Sequence, residues 1–304
     1  MFDIIVVGGG PAGMTAALYA CRNGKSVLVI EREGFGGQIT HSPKVENYPG
    51  SLSISGNELA EQMLEQILAQ GAEIEIETVA GVRRGDGCWE VVTEDGDSFM
   101  SRAVILATGV KHRMLGLENE EELVGNGISY CAVCDGDFYS GKKVCMIGGG
   151  NSALQEAILL SEKCSEVIVL QDLPYFTGEK RLQEILFAKD HVKAYTSQKV
   201  LRLLTNEEGF CGLETEDQVT GEIRTIPCDG TFVAIGLIPE NEPFVQFADL
   251  NAYGYFDSDE SCTTRTEGIF VAGDCRSKQV RQVATAIADG ATAALAACRY
   301  INEN

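Results

Sequence analysis

A strand, a glycine turn, a helix and a second strand follow one another twice in this chain, and that repeated grammar constrains the fold more than any other feature. In the first copy Phe2 to Val7 is a short apolar run, Gly8 to Gly13 punctuate it, Met14 to Asn23 has helical spacing, and Ser26 to Ile30 returns to strand character. The second copy reads Lys143 to Ile147, Gly148 to Gly150, Ser152 to Lys163 and Glu166 to Leu170. The expected fold class is therefore α/β, with two Rossmann-like three-layer domains. Because the second copy begins in mid-chain, the second domain is expected as an insertion. Residues 1–113 and 243–304 would form a discontinuous first domain and 114–242 the inserted one, with Gly116, Gly125 and Gly127 entering and Pro239 and Pro243 leaving as hinges. At ~100 to 200 residues per domain, 304 residues give each half its own core. Further strands are expected around the alternating Cys88 to Glu94, the apolar Ala103 to Ala107 and Ile269 to Ala272, and a last helix over Val283 to Tyr300.

Composition narrows the partners. Acidic residues outnumber basic ones by 45 to 24, and a formal charge of -21 argues against nucleic acid and anionic membranes. The 11 cysteines are odd in number and irregularly spaced in a long chain, which points to a reducing, cytoplasmic setting rather than a disulfide framework. The uncharged stretch from Ile4 to Cys21 is broken by Gly8-Gly9-Gly10-Pro11 and has no basic segment before it, so it reads as neither signal peptide nor membrane span.

In Gly8-Gly9-Gly10-Pro11-Ala12-Gly13 the first, third and sixth positions fit G-x-G-x-x-G between a strand and a helix, where backbone amides and the helix dipole hold a pyrophosphate. Glu31 closes the second strand 18 residues past Gly13, where a carboxylate accepts the two ribose hydroxyls of an adenosine and repels a 2′-phosphate. FAD or NAD is expected there rather than NADP. A bare glycine turn could serve helix packing alone, but strand, helix and acid together favour a ligand.

Cys131-Ala132-Val133-Cys134-Asp135 sets the chemistry. Two thiols at this spacing can close an exchangeable disulfide, and the carboxyl that follows can shuttle a proton. A zinc site would need a second ligand pair, and His41, His112 and His191 have no partner spacing. Two unpaired structural cysteines, and a turn or cap role for Asp135, are the plainer alternatives.

These stretches together resemble the low-molecular-weight thioredoxin reductases, flavoproteins that pass electrons from FAD through a Cys-x-x-Cys disulfide to thioredoxin. The matching segments run along nearly the whole chain: Gly8 to Gly13, Gly36-Gly37-Gln38, Glu46 to Gly50, Ala107-Thr108-Gly109, Cys131 to Asp135, and Gly273-Asp274 followed by Arg281-Gln282. The resemblance implies the glutathione/thioredoxin reductase fold, a homodimer and a rotating inserted domain. It places Gly8, Gly10, Ala12, Gly13 and Glu31 at the adenosine half of FAD, and Gly37, Gln38 and Asn47 near the ribityl chain and flavin ring. Ala107, Thr108, Gly109 and Gly273 line the same cofactor, Asp274 bonds the ribityl hydroxyls, and Arg281, Gln282 and Val283 border the ring. It also makes Cys134 the thiol that faces the flavin, Cys131 the thiol that attacks thioredoxin, and Asp135 the acid and base.

The chain departs from that family at one place. Gly148, Gly150 and Ala153 keep the G-x-G-x-x-A turn, but where members that use NADPH carry His-Arg-Arg-x-x-x-Arg this chain has Gln171-Asp172-Leu173-Pro174-Tyr175-Phe176-Thr177. No arginine is left for a 2′-phosphate, and Asp172 puts a negative charge beside it. This resembles the pyridine-nucleotide-independent branch, so ferredoxin is the expected electron donor. NADH is the alternative, with Asp172 as the ribose acid 22 residues past Gly150. Lys111, His112, Arg113, Lys142, Lys143, Lys180 and Arg181 are candidate contacts for an acidic donor. A different class of reading, an FAD-binding electron carrier or redox sensor, would not need both Cys131 and Cys134.

Overall fold

The computed structural model describes residues 1–42 and 45–304. The chain divides into two compact units, Met1–Lys111 with Ile238–Asn304, and His112–Leu237. The divisions fall a few residues before the points expected from the glycines and prolines.

In the first unit the strands Glu73–Ile76, Val27–Glu31, Phe2–Val7 and Ser98–Leu106 lie side by side in parallel. Val27–Glu31, Phe2–Val7 and the second half of Ser98–Leu106 are near-continuous apolar runs because helices and loops cover both faces of the sheet there, whereas the edge strand Glu73–Ile76 alternates. On its other edge Ser98–Leu106 serves two further neighbours. Its polar first half pairs antiparallel with Trp89–Thr93, and its apolar second half pairs parallel with Ile269–Val271. Trp89–Thr93 buries Trp89, Val91 and Thr93 in alternation, as a strand with one covered face must. Val79–Arg84 completes the antiparallel edge.

Three helices, Pro11–Arg22, Gly56–Ala69 and Val283–Glu303, close one face over a core that includes Ile4, Val6, Met14 and Ile105. The first begins at Pro11, ahead of the expected Met14, since proline suits the first helical turn, where its missing N–H costs nothing. It packs on the last helix through Ala16, Ala17 and Ala20 against Ala293, Ala294 and Ala297, all fully buried. A Cβ on Gly290 would stand 2.2 Å from the Ala12 carbonyl oxygen, so backbone meets backbone here. The opposite face is filled by Trp89, Val91, Phe244 and Phe256.

The second unit has a parallel sheet in the order Val192–Tyr195, Glu166–Leu170, Lys143–Ile147, Gly230–Val233 and Ile128–Ser129. The helices Asn151–Ser161 and Lys180–Phe187 cover one face through Leu154, Ala157, Leu160 and Leu186. An antiparallel meander of Gln198–Asn206, Gly209–Asp217 and Ile223–Pro227 covers the other through Leu203, Leu213 and Ile226. Among the described residues no helix is long and apolar enough to cross a membrane.

Candidate active site

The first glycine turn is held open by backbone geometry. Gly8 has a φ of +108°, and a Cβ there would lie 2.3 Å from the carbonyl oxygen of Ala107. Only glycine permits both the left-handed backbone and this approach. The Ala107-Thr108-Gly109 segment therefore lies directly against the turn. Glu31, at the end of its strand, accepts the Gly9 N–H through Oε2 at 2.6 Å. Gly36 N–H donates to the Gly9 carbonyl at 2.9 Å and brings Gly37 to within 3.5 Å of the Gly10 Cα, measured from where a Gly37 Cβ would sit.

The second half of the predicted cofactor set gathers on the same unit. A Cβ on Gly273 would be 2.8 Å from the Cβ of Ala12, and Arg281 Nε donates to the Asp274 carbonyl at 3.2 Å with its guanidinium 4.1 Å from the Tyr255 ring centroid. Asn47 Nδ2 donates to Gln282 Oε1 at 3.1 Å, joining two residues 235 positions apart. Gln282 caps the final helix and Val283 opens it. Gln38 lies exposed on the short turn Gly37–His41. Asp274 is the telling residue. Among the described residues its buried Oδ1 has no hydrogen-bond partner, and burial pushes its carboxyl up to about 6. A buried carboxylate oxygen beside a dinucleotide turn is what a sugar-chain hydroxyl would satisfy, so these residues fit FAD.

Two supports of this site carried no pattern in the sequence. Asn241 is fully buried, accepts the Thr108 hydroxyl at 2.9 Å and donates to the carbonyls of Gly254 and Cys275, both at 2.9 Å. Asp289 accepts Gly273 N–H at 3.0 Å, Arg276 Nε at 2.8 Å and Lys278 Nζ at 2.8 Å. It is an acid set among small and apolar residues in the alanine-rich first half of the helix, and that isolation was the available signal.

In the second unit Cys131 and Cys134 form a disulfide with their Cα atoms 5.3 Å apart. Cys131 caps the helical turn Ala132–Asp135, and the Cys134 N–H points at Cys131 Sγ from 3.2 Å. Asp135 is buried, and Ser129 Oγ donates to its Oδ2 at 2.6 Å. The same Ser129 Oγ accepts the Cys131 N–H at 3.1 Å, which ties the carboxyl to the first cysteine.

The second glycine turn repeats the first almost bond for bond. Gly148 N–H reaches Leu170 O at 2.9 Å as Gly8 N–H reaches Ile30 O at 2.8 Å, and Gly178 N–H reaches Gly149 O at 2.8 Å as Gly36 reaches Gly9. This register matches Glu31 to Gln171, not to Asp172. The reading of Asp172 as the ribose acid is therefore corrected: it lies one residue farther along and is exposed, and its backbone carbonyl accepts Gln218 Nε2. Gln171 is buried and donates Nε2 to Tyr175 O at 3.3 Å. Glu179 brings a carboxylate to Asn151, whose Nδ2 it accepts at 3.1 Å at the start of the helix. Of the basic candidates, Lys143 pairs with Glu166 at 3.7 Å and Lys111 with Glu240 at 3.4 Å.

Residues 2–290 match the family model of the pyridine nucleotide-disulphide oxidoreductases. The thioredoxin reductase of Bacillus subtilis (strain 168) is 39% identical over 304 residues, covering 100% of this chain and 96% of that protein. A 34.2 kDa protein in the rubredoxin operon of Clostridium pasteurianum is 38% identical over 300 residues, covering 98% and 97%. The crystal structure of thioredoxin reductase from Streptococcus pyogenes superposes with a TM-score of 0.93 at 36% identity, covering 100% of this chain and 99% of that one. The cofactor of such flavoprotein reductases is FAD, in keeping with the dinucleotide turn and the orphaned Asp274 oxygen of the first unit. With a family model over most of its length and a full-length relative well above 30% identity, the chain belongs to the pyridine nucleotide-disulphide oxidoreductases and, within them, to the thioredoxin reductase family.

Proposed function

We propose that this protein reduces thioredoxin through the Cys131–Cys134 disulfide, with Cys134 as the thiol that faces the flavin and Cys131 as the thiol that exchanges with the partner. The observation that carries the reading is the closed disulfide on a helical turn whose next residue is the buried, hydroxyl-bonded Asp135. Bound FAD supplies the electron pair that opens the disulfide. Held 3.2 Å from Cys131 Sγ, the Cys134 N–H favours the thiolate form of Cys131 once the bond is open. Cys131 thiolate then attacks the thioredoxin disulfide to form a mixed disulfide, Cys134 attacks Cys131 Sγ to re-form the Cys131–Cys134 bond and release the thioredoxin thiolate, and Asp135 holds the proton that the leaving thiolate takes up. Gly8, Gly10, Gly13 and Glu31 would hold the adenosine and pyrophosphate of FAD, and Asp274 its sugar chain.

The reading extends to the donor, which we take to be a one-electron carrier of the ferredoxin class. Support comes from the second glycine turn, where Gln171 stands in the place of Glu31, the exposed Asp172 and Leu173 stand in the place of arginines, and Glu179 adds a negative charge at the helix start. The test is anaerobic mixing of the FAD-loaded protein with reduced ferredoxin, NADH or NADPH, followed by addition of oxidised thioredoxin. Flavin bleaching and thioredoxin thiols with ferredoxin alone are expected. Bleaching by micromolar NADPH would overturn the donor, and failure of the reduced protein to generate thioredoxin thiols would overturn the reductase.

A further inference from the structure

A second carboxyl, one that the sequence motif does not contain, meets the backbone of the redox turn. Glu156, on the helix Asn151–Ser161, accepts the N–H of Ala132 through Oε2 at 3.1 Å. Ala132 is fully buried and follows Cys131, so this bond ties Glu156 to the amide joining the two residues at the head of the redox turn. We propose that Glu156 is a positioning residue for Cys131 which also takes up one of the two protons consumed when the disulfide opens. The inference rests on the reductase reading in taking Cys131–Cys134 as the exchanging pair.

An electron pair enters the S–S bond, one proton ends on a cysteine sulfur, a second ends on Glu156, and the other sulfur remains a thiolate. A charged Glu156 repels a thiolate next to its hydrogen-bond partner, and proton uptake removes that repulsion. Burial pushes the Glu156 carboxyl up to about 7, against the lowering effect of the Ala132 N–H, which places the uptake in the neutral range. Asp135 on the same turn is bonded to Ser129, and Lys143 and Glu166 on the strands beneath pair with each other at 3.7 Å. Glu166 also takes Lys193 at 2.7 Å, Lys163 beyond the helix pairs with Asp137, and Lys180, Arg181 and Glu184 of the neighbouring helix are exposed.

The test uses FAD-loaded protein reduced with dithiothreitol, alkylated with iodoacetamide across pH 5.5 to about 9 and read at Cys131 by peptide mass spectrometry. Glu156→Gln keeps an oxygen for the Ala132 N–H but cannot charge, whereas Glu156→Leu removes both. The wild type should show an inflection near neutral pH that both variants lack, and Glu156→Gln should alkylate about tenfold faster at pH 7 because a neighbouring negative charge is gone. A protonated-carboxyl infrared band that appears on reduction should be present in the wild type and absent from Glu156→Gln. If the Gln profile coincides with the wild type while only Leu differs, Glu156 is a structural acceptor and the proposal fails. Thioredoxin turnover, measured on the same samples, reports on the reductase reading separately, because the alkylation profiles need only a chemical reductant.

Discussion

The Gly9 N–H donates to Glu31 Oε2 at 2.6 Å, so a charged acceptor is fixed at the edge of the first glycine turn before any ligand arrives. At the matching place in the second unit stands Gln171, whose amide is turned to Tyr175 O in its own loop. The two turns share strand, helix, register and close backbone contacts, yet they differ in the one group that would grip a ribose. The backbone geometry is thus common to both turns although the side chain at the strand end is not, since the turn is required for packing while that side chain is free of it.

That contrast predicts the effect of removing the acid. Glu31→Ala should weaken FAD binding by about ten- to a hundredfold, the usual worth of a hydrogen bond to a charged group. Titration of the apoprotein with FAD, followed by quenching of flavin fluorescence, gives the dissociation constant. An unchanged constant would mean that Glu31 serves only the Gly9 N–H.

Asp274 predicts a pH dependence. Its folded carboxyl is raised to about 6 by burial, so between about pH 4 and 6 the folded apoprotein holds a proton that the unfolded chain releases. Its contribution is full protection below the unfolded value and a penalty that grows as pH rises through 6, reaching at most about 3 kcal/mol. Asp274→Asn should therefore stabilise the apoprotein at pH 8 and change little at pH 4, while weakening FAD binding at pH 8. Urea melts of both proteins at the two pH values check the sign.

How much of this was legible follows from which interactions are local. Phe2–Val7, Lys143–Ile147 and Glu166–Leu170 coincide with their sequence runs because, after a charged residue at or next to the start, burial on both faces keeps every remaining residue apolar. Cys131 and Cys134 are close in sequence, so spacing alone brought them together. Asn241, Asp289 and Glu156 were invisible for the opposite reason. Each acts on a backbone group far away in the chain, Asn241 on Cys275, Asp289 on Gly273, Glu156 on Ala132, and a lone polar residue has no period to betray it. Asp172 was misplaced by one residue because counting from a glycine cannot fix the strand register that the Gly148 to Leu170 bond reveals.

Gly290 predicts a stability defect with no chemistry attached. A side chain there would drive the final helix off the Pro11–Arg22 helix, whose Ala12 carbonyl would be 2.2 Å from the new Cβ. Gly290→Val should cost about 3 kcal/mol or more, the upper range for overpacking against backbone. Thermal melting with and without FAD should show a lower midpoint in both states, because the displaced helix also carries Gln282 and Asp289. A variant that melts with the wild type would mean that the two helices separate at no cost.

The altered segment after Glu166–Leu170 predicts the outcome of rebuilding it. Asp172 and Leu173 are exposed, and their backbone carbonyls are engaged, by Gln218 Nε2 and by the Ser197 N–H, while their side chains point away from the core, so both side chains can be exchanged without opening it. In Asp172→Arg/Leu173→Arg two guanidinium groups would face a 2′-phosphate in charge-assisted bonds, and one repulsive carboxylate would be removed. Calorimetric titration with 2′,5′-ADP and 5′-ADP isolates that phosphate from the rest of the nucleotide. The wild type should show no preference for the 2′-phosphate, whereas the double variant should bind 2′,5′-ADP at least about tenfold more tightly than 5′-ADP. Because Gln171 and Glu179 are untouched, the overall affinity should stay weak even then. A wild-type protein that already prefers 2′,5′-ADP at micromolar concentration would show that cations elsewhere replace the missing arginines, and the ferredoxin-class donor would lose its main support.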